Sequence, residues 1–251
     1  MPLPPPLELL TAAAIAGFAG FVQGVTGFGS GLVAAAALSQ MWAVSAVTVA
    51  LSPPSILLTG ALLLRLREDV EPRPLRPLLL ALPLGVTLGI LSLNHLPAAA
   101  LKGLLALALL AAIASGLLGL RPRGALPAAA GWGAGLLAGA MGAAFNTSGP
   151  PILIYATLAG WEPRRFRANL SLLFCASATL SLIGHAARGA LSAESLLVSL
   201  CLAPGLVLGA QAGARVGERL PRGVFMGAVR LLLAVIAVRL AWEFFAYMAS
   251  R

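Results

Sequence analysis

Hydrophobic residues in this chain do not alternate with polar ones; they run on. One uncharged stretch extends from Leu9 to Leu64, and two more extend from Gly124 to Trp161 and from Ala168 to Ala187. A helix on the surface of a soluble domain shows a polar face at every turn. Runs of about 20 apolar residues are instead long enough to cross a bilayer. Gly, Pro and Arg clusters interrupt the runs. They predict helices over 7–24, 29–41, 43–64, 74–94, 98–120, 125–144, 149–160, 164–187, 192–214 and 221–247. At ~1.5 Å per residue, 29–41 and 149–160 are too short for a ~30 Å hydrocarbon core. They read as the second arms of re-entrant or broken helical hairpins. The fold class expected is an all-α polytopic membrane protein with little mass outside the bilayer.

The pattern also repeats. Gly20, Gly24 and Gly27 precede Gly135, Gly139 and Gly142 by 115 residues. After a four-residue slip, Trp42 matches Trp161 and Leu51-Ser52 matches Leu170-Ser171. Gly85 and Gly89 match Gly205 and Gly209, and Leu96-Pro97 with Gly103 matches Leu220-Pro221 with Gly227. The kept order predicts two homologous halves. The first, 1–120, holds a hairpin (7–41) and the spans 43–64, 74–94 and 98–120. The second, 124–251, holds a hairpin (125–160) and the spans 164–187, 192–214 and 221–247.

Composition sharpens this reading. Hydrophobic residues make up 59% of the chain and charged residues 10%, against about 25% charged in soluble domains. Disorder, a disulfide scaffold and an ordinary soluble enzyme are excluded. The net charge of +9 is not a nucleic-acid signal, because the arginines sit in short clusters between apolar runs. These are Arg65, Arg67, Arg73 and Arg76; Arg121 and Arg123; Arg164, Arg165 and Arg167; and Arg215, Arg219 and Arg222. Loops 95–102 and 188–194 hold one basic residue each, Lys102 and Arg188. The positive-inside rule places the rich clusters in the cytoplasm. The chain must then return to its own side between Arg123 and Arg164, so 125–160 is a down-and-back hairpin. One hairpin plus three spans inverts the second half relative to the first and leaves both termini non-cytoplasmic. Inverted repeats with broken helices are a transporter architecture. The start, Met1-Pro-Leu-Pro-Pro-Pro6, has no basic n-region, so no cleaved signal is expected. Cys175 and Cys201 lie in apolar runs and read as small buried hydrophobes. No Cys/His spacing suggests a metal, and no cofactor motif is present.

Chemistry is expected at the hairpin tips, Gln23-Gly-Val-Thr-Gly-Phe-Gly-Ser-Gly31 and Gly142-Ala-Ala-Phe-Asn-Thr-Ser-Gly-Pro-Pro151. Each places a hydroxyl just before a new helix, Ser30 in one and Thr147 and Ser148 in the other. Helix N-termini present free N–H groups and partial positive charge, so two of them meeting near the midplane would form an anion site. Packing is the plain alternative, above all for Gly20-xxx-Gly24 and Gly135-xxx-Gly139. Arg230 lies nine residues after Pro221, about 14 Å along a helix and hence near the midplane. Its planar fork suits a carboxylate or sulfonate. The candidate substrate-binding set is Gln23, Thr26, Gly29, Ser30, Asn146, Thr147, Ser148, Gly149, Asn169, Ser171 and Arg230. Arg239, beside Trp242 and Tyr247, reads as an interfacial anchor. No Asp or Glu falls mid-span. His95 and His185 fall near outer ends and read as satisfied histidines.

The stretch Gly17-Phe-Ala-Gly-Phe-Val-Gln-Gly-Val-Thr-Gly-Phe-Gly-Ser-Gly31 resembles the first glycine-rich motif of the TauE/SafE sulfite exporter family of membrane permeases. Pro204-Gly-Leu-Val-Leu-Gly-Ala-Gln-Ala-Gly-Ala-Arg-Val-Gly-Glu-Arg-Leu-Pro221 resembles its C-terminal signature. The resemblance spans nearly the whole chain. It implies a multi-pass permease of a bacterial cell (inner) membrane that moves small sulfur-containing or organic anions such as sulfite, thiosulfate or a sulfonate. Its second tip departs from a glycine-rich copy at Phe145-Asn146-Thr147. The partners implied are a small anionic substrate and the lipid bilayer, without nucleic acid, and a homo-oligomer is compatible.

Two rival functions are weaker. An intramembrane hydrolase would need Ser30 or Ser148 beside His185, but Phe28 breaks a Gly-x-Ser-Gly motif. An assembly factor that transports nothing would leave paired inverted hairpins without a purpose. The topology is directly testable. Cysteines placed at positions 123 and 165 should both react with an impermeant thiol reagent from the cytoplasmic side; labelling from opposite sides would sink both the hairpin and the inversion.

Overall fold

The computed structural model describes residues 3–118, 126–216 and 222–249, and all regular structure among them is helical. The helices are α1 (Pro6–Thr26), α2 (Ser30–Leu38), α3 (Val44–Leu66), α4 (Pro72–His95), α5 (Ala98–Leu117), α6 (Ala128–Phe145), α7 (Gly149–Leu158), α8 (Pro163–Ala187), α9 (Ala193–Val216) and α10 (Arg222–Ala249). A 3-10 turn, Arg67–Asp69, links α3 to α4. Seven of the described helices are long and apolar enough to cross a membrane; α2 and α7 are not among them, nor is α5, whose apolar part, Ala98–Ala114, is shorter than the span expected over 98–120. The end of the expected 98–120 helix, Arg121, Arg123 and Arg219 lie outside the described residues.

Proline starts several helices, at Pro6, Pro72 and Pro163, where its missing N–H is no loss. Pro53, Pro54, Pro77, Pro83 and Pro204 lie inside helices that continue through them, as membrane helices tolerate when neighbours re-satisfy the backbone. Large apolar side chains stand exposed around the perimeter, Leu84, Leu107, Leu200, Leu231 and Val238 among them. Water would not tolerate such a belt, whereas lipid is its natural solvent. Cys201 belongs to that exposed surface and is not buried as its apolar run suggested; Cys175 is half-buried, and both are free thiols.

The core rests on two parallel helix pairs, α1 with α9 and α4 with α6. Their contacts are backbone on backbone. A Cβ on Gly205, Gly209 or Gly213 would strike the carbonyl of Ala13, Gly17 or Phe21 in turn. A Cβ on Gly85 or Gly89 would strike that of Leu136 or Ala140. Small residues let membrane helices approach this closely, and Cα–H groups then face carbonyls across the seam. Beyond these pairs, α3 packs on α8 and on α9, and α5 packs on α10.

The contacts repeat between halves. Gly20 meets the Leu206 carbonyl and Gly139 meets that of Leu82; Gly209 meets Gly17, and Gly85 meets Leu136. These coincide if residue n corresponds to n+119 in the hairpin and to n+124 in α4 and α5. Gly20 therefore pairs with Gly139, not with the Gly135 suggested by sequence. Gly85 likewise pairs with Gly209, not with Gly205. Each correspondence moves by one helical turn, and no slip is needed before Trp42 and Trp161.

Polar contacts sort the loops into two ends. Arg164 Nε bonds Asp69 at 2.8 Å, and an Arg165 guanidinium nitrogen bonds Glu71 at 2.8 Å. Loops 65–72 and 159–163 thus share one end. At the other end, Trp42 Nε1 donates to Glu8 at 3.3 Å and Arg188 donates to the Ile90 carbonyl at 3.3 Å. Lys102, early in α5, pairs with Glu243, late in α10. The first described residues and the end of α10 both lie at this arginine-poor end. Arg239 is exposed and lies 3.5 Å from Glu243.

If glycine contacts set the helix spacing, Gly209→Val should destabilise the protein by roughly 1–3 kcal/mol or more, the usual cost of overpacking. Gly133, with nothing within 4 Å of a Cβ, should accept Val with little loss. Thermal melts in detergent, read by size-exclusion chromatography, compare the two.

Candidate functional site

The first hairpin turns at Gly27 and Gly29, whose φ angles of 87° and 99° suit glycine. Gly27 ends α1 and Gly29 precedes α2. The second turns at Asn146, φ 52°, which ends α6; Asn tolerates this left-handed region better than most residues. Gly27 and Asn146 are 119 residues apart, as are Ser30 and Gly149, the first residues of α2 and α7.

The two tips meet. A Cβ on Gly31 would collide with the Asn146 carbonyl, so backbone lies on backbone here too. Asn146 Nδ2 donates to Ser55 Oγ of α3 at 2.8 Å. Thr48 Oγ1, also on α3, contacts the Ala144 carbonyl at 2.9 Å near the end of α6. Carbonyls left over at a helix C-terminus need such partners when no water can reach them.

Different side chains hold each tip. Gln23 Oε1 accepts the Ser30 N–H at 3.3 Å and the Ser30 hydroxyl. A side chain of α1 therefore caps α2, and Gln23 Nε2 is left buried without a partner. Thr26 Oγ1 turns back on its own tip, contacting the carbonyls of Val22 at 2.8 Å and Phe28 at 2.6 Å. In the second hairpin the position matching Gln23 is Gly142, and a Cβ there would strike the hydroxyls of Ser148 and Ser177. Those hydroxyls hydrogen-bond each other at 2.6 Å.

Gln23, Thr26, Gly29, Ser30, Asn146, Thr147, Ser148, Gly149 and Arg230 all line one cavity of about 330 Å³. Asn169 and Ser171 are not part of that lining. Asn169 is fully buried, and its Oδ1 accepts the Glu71 N–H at 3.0 Å, tying α8 to the start of α4. Ser171 Oγ donates to the Arg167 carbonyl at 2.8 Å, one turn back. Of the candidate set, these two are engaged in hydrogen bonds away from the cavity. Ser55, Thr59, Ser177 and Phe174 do line the cavity, and the sequence did not single them out. The Pro53-Pro54 pair just before Ser55 was the available signal, since it frees backbone carbonyls in mid-span.

His185 is fully buried beside the Ala143 backbone and bonds neither Ser30 nor Ser148. Among the described residues, no group of three or more His, Cys, Asp or Glu could hold a metal ion.

A protein-family model described as "Sulfite exporter TauE/SafE" matches residues 12–240. No curated protein and no solved structure matches the chain.

The tip geometry separates two glycines. Gly31→Ala should lower thermal stability in detergent, because its Cβ meets the Asn146 backbone. Gly149→Ala should not, since the nearest atoms to its Cβ lie 3.9 Å away. Equal melting of the two variants would mean the tips do not touch.

Proposed function

Because the chain belongs to the sulfite exporter TauE/SafE family, whose members are transporter-type membrane proteins, we propose that it is a secondary transporter or facilitator of small sulfur-containing or organic anions. The observation that carries this reading is the single cavity lined by both tips and Arg230. The anion would sit against the N-terminus of α2, where partial positive charge collects. Gln23 Nε2 and Asn146 Nδ2 offer neutral donors, and Arg230 offers the full charge with a fork that fits two oxygens. The repeat places Ala106 where the second half has Arg230, so the charge of the site comes from one half. A lining of mixed apolar and polar groups favours an anion that sheds water readily, because desolvation opposes its capture.

Alternating access gives the two halves a mechanical role. The cavity lining reaches Thr157, Phe166 and Ile113, toward the arginine-rich end of the molecule. The positions matching Thr157, Phe166, Val229, Arg230 and Ile113 in the other half are Leu38, Val47, Leu105, Ala106 and Ala237. All five are 2% exposed or less. The route present at one end is therefore packed shut at the other. Two halves inverted across a membrane could exchange these arrangements by rigid-body rocking, exposing the same anion to each side in turn. By the positive-inside rule the state described faces the cytoplasm, with both termini outside a bacterial inner membrane.

Arg230→Ala should cut thiosulfate or sulfite flux in proteoliposomes by roughly tenfold or more, the loss expected for one charged hydrogen-bonding partner. Lys there should restore part, keeping charge without the fork. Gly29→Leu, which forces a side chain onto a φ of 99°, should also stop flux, while Leu107→Ala on the exposed face of α5 should not. Normal flux in both Arg230→Ala and Gly29→Leu would remove the anion from this cavity.

A further inference from the structure

One face of α8 carries Ser177, Ser181 and His185, each four residues after the last and all at most 1% exposed. Four-residue spacing stacks side chains along one helix face. The row begins in the central cavity, where Ser177 Oγ bonds Ser148 Oγ at 2.6 Å. It ends one turn before Arg188, which lines a second recess of about 660 Å³ at the arginine-poor end together with Glu8 and Trp42. Between cavity and recess the surroundings are apolar: Val86, Ile90, Ala143 and Leu180 form one cluster, and Gly184 packs tightly on Ile90.

The polar groups in that apolar sleeve are not satisfied in the usual way. Other span hydroxyls, such as Ser52, Thr59 and Ser199, donate to the carbonyl one turn back, as serines in membrane helices do. Ser181 Oγ makes no such bond, and the polar group beside the buried His185 ring is the Ala143 backbone. Buried polar groups nearly always find partners, and those that do not call for an explanation. The imidazole is also the one side chain in the sleeve with two ring nitrogens that can each carry a proton.

We infer that Ser177, Ser181 and His185 form a proton path from the arginine-poor recess to the anion cavity, with His185 as its proton-binding group. This rests on the transport reading above. A proton from the recess binds one ring nitrogen, and the ring releases a proton from its other nitrogen to the Ser181 hydroxyl. Each hydroxyl then accepts one proton and gives up its own, through Ser181 and Ser177 to Ser148, and ends as it began; a ring flip resets His185. Side chains at this spacing stand about 5–6 Å apart at Cβ, a gap that one bridging water closes. A proton delivered beside a bound anion cancels one charge, so the pair crosses against less electrical opposition than the anion alone. The groups that could compete are few. α6 has no titratable side chain; α7 has Tyr155; α3 has Arg65 at its far end. α4 has Arg73 and Arg76 at its start and His95 at its last residue, and Arg67, Glu68 and Asp69 lie in the turn before it. On α8 itself, Arg164, Arg165 and Arg167 lie at the start and Cys175 lies mid-helix. Arg188 lies directly after α8.

The chain has 2 histidines, so His95→Gln leaves His185 alone for nitrogen-15 NMR in nanodiscs. Its ring signals should titrate between pH 4 and 9, and thiosulfate, which does not itself titrate there, should move the midpoint. In proteoliposomes, an inward proton gradient of one pH unit should speed thiosulfate uptake or raise its accumulation by up to about tenfold for one proton per anion. His185→Gln should hold that gain below about twofold, and Ser181→Ala should reduce it. Ring signals that stay constant across the range, or a His185→Gln protein with the full gradient response, would overturn the proton path. Absence of any thiosulfate or sulfite flux would count against the transport reading instead, and the NMR titration would still decide His185.

Discussion

Backbone-to-backbone packing along α1–α9 and α4–α6 is the contact on which this molecule is organised. Lipid offers no hydrophobic drive for one helix to join another, so association depends on close fit. Glycine at four-residue intervals provides that fit: Gly205, Gly209 and Gly213 each admit a carbonyl of α1 where a Cβ would collide. The two seams fix α1 and α6 as rigid first arms. The short second arms, α2 and α7, can then end in mid-molecule without losing their place.

Ending a helix inside a membrane leaves polar backbone with no water to satisfy it. Three devices meet that demand here. Gln23 reaches from α1 to cap the start of α2. Thr48 takes up a carbonyl near the end of α6. The two turns lie against each other at Gly31 and Asn146. The starts of both α2 and α7 line the cavity, so polar termini that would be a liability in a packed core lie where the proposed anion would sit.

The halves are alike in outline and different in chemistry. Correspondence by n+119 and n+124 superposes their packing contacts, yet Gln23 matches Gly142 and Arg230 matches Ala106. The shared part is packing; the unshared part is the polar chemistry of the cavity lining.

Much of this was legible in the sequence. Apolar runs gave the helices to within a few residues, and the arginine clusters of 65–76 and 164–167 do share an end, bound by Arg164–Asp69 and Arg165–Glu71. The glycine register was misread by one turn because glycines every four residues align equally well with their neighbours in either direction; only the contacts of Gly20 with Leu206 and Gly139 with Leu82 break the tie. Asn169 and Ser171 lie outside the cavity lining, which position along a helix alone does not tell. Ser177, Ser181 and His185 were missed as a group because the histidine was read singly, and their four-residue spacing counts only once α4 and α6 enclose that face. The central claim is that a small oxyanion binds between the tips. Selenite, a heavy relative of sulfite, can be located by its anomalous signal in a crystal of the protein. The account predicts one strong peak between the start of α2, Asn146 and the Arg230 guanidinium; a peak confined to the arginine-rich loops, with none in the cavity, would contradict it.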